Sequence, residues 1–377
     1  MGMDWNRREF LRAGALLGAA ATLPSARRGA ASRPLTPAEF KQRLRGPIVS
    51  IPTPFTPDFR LDGPGLRQMI EMDLRNQIVI FELTAGDSQY SFLAYDEIKQ
   101  LARMVAEAVG NRGMSIIGTG PWWTERTIDF AGYAESVGGT ALQVLKSPGG
   151  NDDALAEHYR QVAANTRLPI VLQGDFPMPL LEKLAQIDSI VALKEDVSLS
   201  YYIDGMIRFG KRINCFSGGG LDWFMVAQPY GASAYFDSNA TFAPEIAVRF
   251  WQAVQRRDYA AETDIIEKYD HPFIQNFSAP FWHATLEYFG VAGRIFDGRS
   301  TAITTPKWCR SKSSTTSWAC SRRRAPHEER RNGAEDWSSL DRTSSTRQYS
   351  RRSGTGLEGN GGLASLCRGI HGWRSSR

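Results

Sequence analysis

Eight short apolar runs, separated by amphipathic segments, organise the chain between residues 46 and 240. The runs lie at residues 48–51, 78–83, 114–118, 141–145, 169–172, 190–193, 213–216 and 232–236. Strands that follow one another at roughly 20 to 35 residues, with helices between them, form a parallel sheet. Eight such units predict an α/β fold, a closed (β/α)8 TIM barrel with its site at the carboxyl ends of the strands.

The segments between the runs have the pattern of one-sided helices. The predicted helices are 65–75, 95–109, 125–137, 152–165, 179–187, 201–209 and 221–229. Within 95–109, the apolar residues Leu101, Met104, Val105 and Ala108 recur at i, i+3, i+4 and i+7. An open, doubly wound sheet would need a glycine-rich dinucleotide loop after its first strand. The loop here, at 52–57, is rich in proline and cannot cradle a pyrophosphate.

The helical pattern continues after the eighth run. We place the barrel core at residues 33–241, and the last barrel helix with a C-terminal helical extension at 242–298. The region from Pro244 to about Val291 is longer than one barrel helix needs, so it predicts an appended helical part.

Residues 1–32 have the layout of an export signal. Arg7 and Arg8 are followed by Phe10 and Leu11, and then by an apolar run rich in Ala and Gly at 13–23. A charged start, a short apolar stretch and a small-residue exit are typical of signal peptides. Paired arginines before Phe-Leu are typical of the twin-arginine type. We therefore predict export of the folded protein to the periplasm.

The net charge of +5 is concentrated after residue 299. Residues 300–377 hold 15 Lys and Arg against 6 Asp and Glu, whereas the preceding 299 residues hold 30 against 34. The main body therefore has no basic excess, which argues against nucleic-acid binding. No run reaches the roughly 18 apolar residues of a membrane span.

Two interpretations are open for residues 299–377, where hydrophobic periodicity stops. One is a basic tail of low order that binds anionic partners. The other is translation in a shifted reading frame. The second is favoured because this segment holds four tryptophans and three cysteines, and disordered tails are usually poor in both.

Metal and disulfide chemistry find little support in the main body. Cys215 is its single cysteine, which argues against a disulfide framework and a cysteine-based metal site. His158 and His271 lack metal-ligand spacing. We predict no metal and no other cofactor.

Polar residues follow the predicted strands, where a TIM barrel carries its site. Lys194 follows the sixth run, and burial of its amine would lower its pKa and free a nucleophile for a carbonyl group. Lys146 either lowers that pKa further by like-charge repulsion or is a surface lysine. Asp87 and Asp175 are either acid/base groups or helix caps. Hydroxyl and backbone N–H groups at other strand ends suit an anion, at Thr53, Thr84, Gly218 and Ser238.

These residues, in this order, resemble the dihydrodipicolinate synthase and N-acetylneuraminate lyase superfamily of class I pyruvate-type aldolases. The resemblance covers residues 46–291, and its motifs lie at 53–55, 84–88 with Leu93 and Glu97, 168–172, 192–195, 216–218 and 231–232 with Asn239 and Pro244. It implies that Lys194 forms an imine with a 2-oxo acid or sugar acid and that the loop of Thr84 and Ala85 holds its carboxylate. It also implies a homo-oligomer.

The proton-transfer positions depart from the family pattern. Gln173 and Asp175 stand where the family has Tyr-Asn-x-Pro, Ala85 replaces a second threonine, and Gly149 and Gly150 replace two tyrosines. A glutamine amide cannot do the acid/base work of a phenol. The catalytic candidates are Lys194, Asp175 and Gln173; the substrate-binding candidates are Thr53, Thr84, Ala85, Lys146, Gly218 and Ser238.

Three functions follow from these residues. The first is a lyase, an aldolase or hydro-lyase, in which Lys194 forms a Schiff base and Asp175 or a water replaces the missing tyrosine. The second is a degenerate barrel that binds a small oxo acid or sugar acid without turnover. The third is an interaction protein that binds through residues 300–377.

Overall fold

In the computed structural model of the chain, which describes residues 34–288 and 291, eight parallel strands close into a barrel. The strands are neighbours in chain order, and β1 pairs with β8 to complete the ring. They are β1 Gly46–Ser50, β2 Ile80–Leu83, β3 Met114–Gly118, β4 Ala141–Leu145, β5 Ile170–Gln173, β6 Ile190–Glu195, β7 Asn214–Ser217 and β8 Ala234–Asp237. The predicted TIM barrel is confirmed.

Helices alternate with the strands and continue after the last one. They are α1 Pro37–Arg43, α2 Gly63–Arg75, α3 Tyr95–Val109, α4 Thr124–Ser136, α5 Asp152–Ala164, α6 Met178–Leu184, α7 Leu199–Phe209, α8 Leu221–Ala227, α9 Pro244–Arg256, α10 Tyr259–Ile265, α11 His271–Gln275 and α12 Ala279–Tyr288. A π-helical turn, Ile266–Asp270, joins α10 to α11. Helices α10 to α12 form the predicted C-terminal extension.

Four strands extend further than their apolar runs indicate. Strands β5 to β8 end at Gln173, Glu195, Ser217 and Asp237, one or two residues past the predicted ends. The hydrogen-bonded ladder continues because a barrel interior accepts polar side chains where they can contact one another. Lys194 therefore lies inside β6, paired with Gln173 of β5 and Phe216 of β7, and not after the strand.

Helix α1 precedes the barrel and was not predicted from the apolar pattern. Thr36 and Glu39 form a capping box at its start, in which each side chain accepts a hydrogen bond from the other residue's backbone N–H. Phe40 of α1 is fully buried among Ile48 and Ile80 of the barrel interior. The helix thus closes the end of the barrel opposite the carboxyl ends of the strands.

A second buried cluster joins the extension to the barrel. Trp282 and Leu286 of α12 lie in it with Phe250 of α9, Phe273 of α11 and Tyr235 of β8. The indole N–H of Trp282 donates to the backbone carbonyl of Ser238, in the loop after β8, at 3.2 Å. The extension therefore packs against a loop at the carboxyl ends of the strands.

Several predictions concern residues outside the described part. The signal at 1–32 and the segment at 299–377 both fall there, so the domain boundaries and export stay predictions. Within residues 34–288, no helix combines the length and the apolarity that a membrane crossing requires.

Candidate functional site

The amine of Lys194 lies in the centre of the barrel. Its side chain is 3 % exposed, and its Nζ is 3.5 Å from Oε2 of Glu82. The same Nζ lies 3.6 Å from the centre of the Phe236 ring, close enough for a cation–π contact. The nucleophile that the sequence proposes is thus held against one acid and one aromatic face.

Lys194 and three side chains from alternate strands make a single layer, which we call the polar layer. Its members are Glu82 of β2, Gln143 of β4, Lys194 of β6 and Phe236 of β8. Gln143 Nε2 donates to Glu82 Oε1 at 2.6 Å, and Glu82 in turn faces Lys194. Layers of four residues from alternate strands are the usual packing inside a TIM barrel.

An apolar layer lies directly beneath the polar layer. Two residues earlier on the same four strands are Ile80, Ala141, Ala192 and Ala234, all buried in the barrel interior. Side chains on a strand alternate between faces, so residues two apart share the interior face. The polar layer is therefore the first one above the packed interior, next to the open end.

Glu82 and Gln143 were missed from the sequence. Both lie within apolar runs, and strands buried on both faces read as continuous hydrophobic segments without alternation. The available signal was a glutamate inside the run 78–83, since a carboxylate in a buried strand needs a partner. Glycine is needed at 118, because a Cβ there would lie 2.1 Å from the backbone oxygen of Leu83 and 2.9 Å from Gln143 Oε1.

The pKa of Lys194 moves in the direction opposite to the expected one. Burial lowers the pKa of its amine, but the carboxylates of Glu82, Asp196 and Asp87 outweigh burial and raise the pKa above the ordinary value. Lys146 does not contribute to this balance. Its Nζ donates to the backbone carbonyl of Asp175, and it is not among the groups that shift the Lys194 pKa, which favours the second of the two alternatives for Lys146.

Glu82 titrates near neutrality. Burial raises its pKa to about 7, while the nearby Lys194 ammonium opposes the rise. The carboxyl group is 0 % exposed and faces the positive charge across 3.5 Å. Glu82 and Lys194 therefore form a buried ion pair.

The loop after β2 supplies the second acid near Lys194. Asp87 Oδ2 accepts a hydrogen bond from Ser50 Oγ of β1 at 2.7 Å, and the backbone N–H of Asp87 donates to Thr84 Oγ1 at 3.2 Å. Thr53 Oγ1 donates to the carbonyl of Ser88 at 2.5 Å. The predicted binding residues Thr53 and Thr84 thus brace this loop, and Ala85 lies half-buried within it.

The helix-cap alternatives for the two aspartates are wrong. The start of α3 is held by Glu97, whose side chain accepts from the backbone N–H of Ala94, and not by Asp87. Helix α6 begins after Pro177, which leaves Asp175 outside its first turn. Asp87 therefore contacts the site, and Asp175 is exposed at its edge.

The loops after β6 and β7 supply the third acid. Asp196 Oδ2 accepts a hydrogen bond from Gln173 Nε2 at 2.7 Å. Gly218 leaves the space for that carboxylate, because a Cβ at this position would lie 1.6 Å from Asp196 Oδ1 and 3.1 Å from Lys194 Cε. Gln173 and Gly218 are therefore brought to Lys194, as their positions in the sequence suggest.

The remaining candidates surround this centre. Ser238 is half-buried, and its carbonyl is tied to Trp282 of α12. Lys146 is half-buried and contacts the Phe176 ring at 5.5 Å. The roles assigned to these residues stay predictions. Among residues 34–288 and 291, no group of three or more His, Cys, Asp and Glu side chains is arranged to hold a metal ion.

Comparison with known proteins identifies the family of the chain. The model of the dihydrodipicolinate synthetase family matches residues 43–280. The chain belongs to that family. The resemblance seen in the motifs is therefore confirmed, and the family is one of lyases.

Individual relatives are distant. An uncharacterized DapA-like lyase of Thermococcus onnurineus is 28% identical over 229 residues, 57% of this chain and 78% of the relative. A Streptomyces avermitilis protein named probable 5-dehydro-4-deoxyglucarate dehydratase 2 is 27% identical over 248 residues, 62% of this chain and 75% of that protein. The chain is thus a divergent family member.

Solved structures support the fold. Dihydrodipicolinate synthase of Oceanobacillus iheyensis superposes with a TM-score of 0.66 at 18% identity, covering 72% of this chain and 96% of that one. N-acetylneuraminate lyase of Mycoplasma synoviae gives 0.61 at 16% identity, covering 70% and 94%. At these identities the likeness shows the barrel alone.

Proposed function

We propose that the protein is a lyase that forms a Schiff base between Lys194 and a 2-oxo acid or sugar acid. The observation that carries the proposal is the position of Lys194, whose buried amine lies at the open end of a barrel of this lyase family. A neutral amine adds to a carbonyl carbon, and the iminium ion that forms after loss of water withdraws electrons from neighbouring bonds. Cleavage or dehydration next to that carbon then becomes easier.

The loop after β2 is the proposed carboxylate site. Thr84 Oγ1 accepts from the N–H of Asp87, so its own hydroxyl hydrogen can be donated to a substrate oxygen. Ala85 continues the same loop beside it.

The substrate is proposed only as a class. The relatives include proteins named 5-dehydro-4-deoxyglucarate dehydratase and 4-hydroxy-tetrahydrodipicolinate synthase, at identities too low to choose between them. Gln173, Gly149 and Gly150 stand at the family's tyrosine positions, so a different proton donor is needed. Asp175 remains one candidate, although its exposure places it at the edge of the site.

Binding without turnover is a second candidate, and one observation favours it. The acids around Lys194 raise the pKa of its amine, and a protonated amine does not attack a carbonyl. A degenerate barrel would keep this lysine charged and use it to bind an anion.

Reductive trapping distinguishes the Schiff-base lyase from the protein that binds without turnover. The protein is incubated with pyruvate and borohydride, and peptides are analysed by mass spectrometry for alkylation at Lys194. We expect labelling that is lost in Lys194→Ala and retained in Lys183→Ala, a surface lysine paired with Asp153. Folded protein that shows no label at Lys194 would contradict the proposed lyase and favour the binder.

A further inference from the structure

Each of the three carboxylates near Lys194 accepts a hydrogen bond from a neutral side chain, and they differ in how they meet the amine. Asp196 accepts from Gln173, and Asp87 accepts from Ser50, so hydrogen bonds from neutral side chains hold both. Glu82 is anchored through Oε1 by Gln143, while its Oε2 accepts no hydrogen bond from another described group and faces Lys194 Nζ at 3.5 Å. Among the described residues, Glu82 is the one of these three acids that forms an ion pair with the Lys194 amine.

From this geometry we propose that Glu82 is the catalytic residue that transfers protons to and from Lys194, in the place of the missing tyrosine. The inference rests on the proposed Schiff-base function. Gln143 is a positioning residue in this arrangement, because its amide holds one oxygen of Glu82 and turns the other toward the amine.

Glu82 can carry out every proton transfer that imine formation at Lys194 requires. Its carboxylate takes one proton from the Lys194 ammonium, and the neutral amine then attacks the substrate carbonyl. The resulting oxyanion takes that proton from Glu82, which removes a second proton from the new ammonium and passes it to the hydroxyl group. The C–O bond breaks, water leaves, and an iminium ion and the Glu82 carboxylate remain.

The surroundings suit a group that must both take and give a proton. Burial raises the pKa of Glu82 to about 7, with the charges of Asp196 and Asp87 adding to the rise and Lys194 opposing it. General acid/base groups are most effective when their pKa lies near the working pH. The polar layer also keeps the transfer away from bulk water.

The test compares two variants that each remove one negative charge near Lys194. Glu82→Gln removes the relay, whereas Asp87→Asn removes a charge but keeps an oxygen for Ser50. Either loss lowers the pKa of Lys194, so a purely electrostatic role predicts faster imine formation in both. The relay predicts slower trapping in Glu82→Gln by about 10²–10⁴-fold, and a smaller change in Asp87→Asn. The rate is that of cyanoborohydride trapping of pyruvate at Lys194.

The outcomes separate the two proposals. If the wild-type protein is not labelled at Lys194, the Schiff-base function fails and the relay fails with it. If the wild type is labelled and Glu82→Gln traps as fast or faster, the relay alone is overturned. Circular dichroism checks the folding of each variant.

A measurement on the wild-type protein covers the case in which Glu82→Gln does not fold. The trapping rate should rise with pH through about 7, as Glu82 loses its proton in the presence of Lys194, Asp87 and Asp196. Glu82→Asp, which keeps a carboxylate at a longer reach, should trap at an intermediate rate. The relay is overturned if the wild-type trapping rate stays flat from about one pH unit below the Glu82 pKa to about one unit above it.

Discussion

Gly218 shows how a missing side chain shapes the site. The Asp196 carboxylate occupies the place of its absent Cβ, and Lys194 Cε lies beside it. The position has no left-handed backbone angle, so space and not conformation requires glycine here. The sequence marked Gly218 as a donor of a backbone N–H, yet that N–H donates to the carbonyl of Glu195 at 2.7 Å.

Gly218→Ala should therefore impair the site. The new methyl group must displace Asp196 and crowd Lys194, so we expect trapping of pyruvate at Lys194 to slow by about tenfold or more, which corresponds to about 1.4 kcal/mol. Gly132→Ala is the matched control, since a Cβ there meets nothing within 4 Å in an exposed position of α4. Equal trapping rates in both variants would contradict this account of Gly218.

Helix α2 carries an acid on its buried face. Asp73 is 1 % exposed, and neither carboxyl oxygen has a hydrogen-bond partner among the described residues. Burial raises its pKa well above the ordinary value, and the carboxylate of Asp237 on β8 raises it further. The folded protein therefore holds this proton at pH values where the unfolded chain has lost it, so stability falls as the pH rises above about 4.

Asp73→Asn should stabilise the protein at alkaline pH. The amide cannot ionise, so we expect the free energy of unfolding in urea to rise by about 1–3 kcal/mol at pH 8 and by less at pH 5. Glu71→Gln on the same helix is the control with the opposite sign. The hydrogen bond and charge of Arg112 lower the Glu71 pKa, so its loss should leave stability unchanged or slightly reduced. A gain for Asp73→Asn that does not depend on pH would refute the ionisation argument.

Across the whole molecule, the helical extension is part of the barrel core. Trp282 of α12 is fully buried, contacts the Phe277 and His283 rings and donates to the loop after β8. At the open end of the barrel, Gln89 Nε2 also lies 3.3 Å from His283 Nδ1, and this hydrogen bond connects α12 to the loop after β2. The extension thus links two loops that hold the predicted binding residues Thr84 and Ser238.

Trp282→Ala should destabilise the fold strongly. Removal of a fully buried indole leaves a cavity, so we expect a loss of about 3–5 kcal/mol in the free energy of unfolding, measured with urea. Ile207→Ala, at a position 66% exposed on α7, should change it by less than about 0.5 kcal/mol. A small loss for Trp282→Ala would mean that the extension is dispensable for the stability of the barrel.

The strands were predicted well because each leaves a local signal. All eight apolar runs correspond to observed strands, and the seven predicted helices correspond to α2 to α8. The predicted ends of the strands were less accurate. Polar residues such as Gln173 and Asp237 extend the strands past the apolar runs, because the barrel interior accepts polar side chains there. Helix α1 was overlooked although Thr36 and Glu39 carry the spacing of a capping box.

By itself the sequence determined the barrel, the family and the strand that carries Lys194. Apolar runs, amphipathic segments and short motifs are properties of residues that are neighbours in the chain, so they can be read from the sequence. The tertiary structure decided which groups meet that lysine. Glu82 and Gln143 are 61 residues apart in the chain and 2.6 Å apart in the fold. The sign of the Lys194 pKa shift follows from carboxylates that closure of the ring brings together, and no local pattern reports that distance.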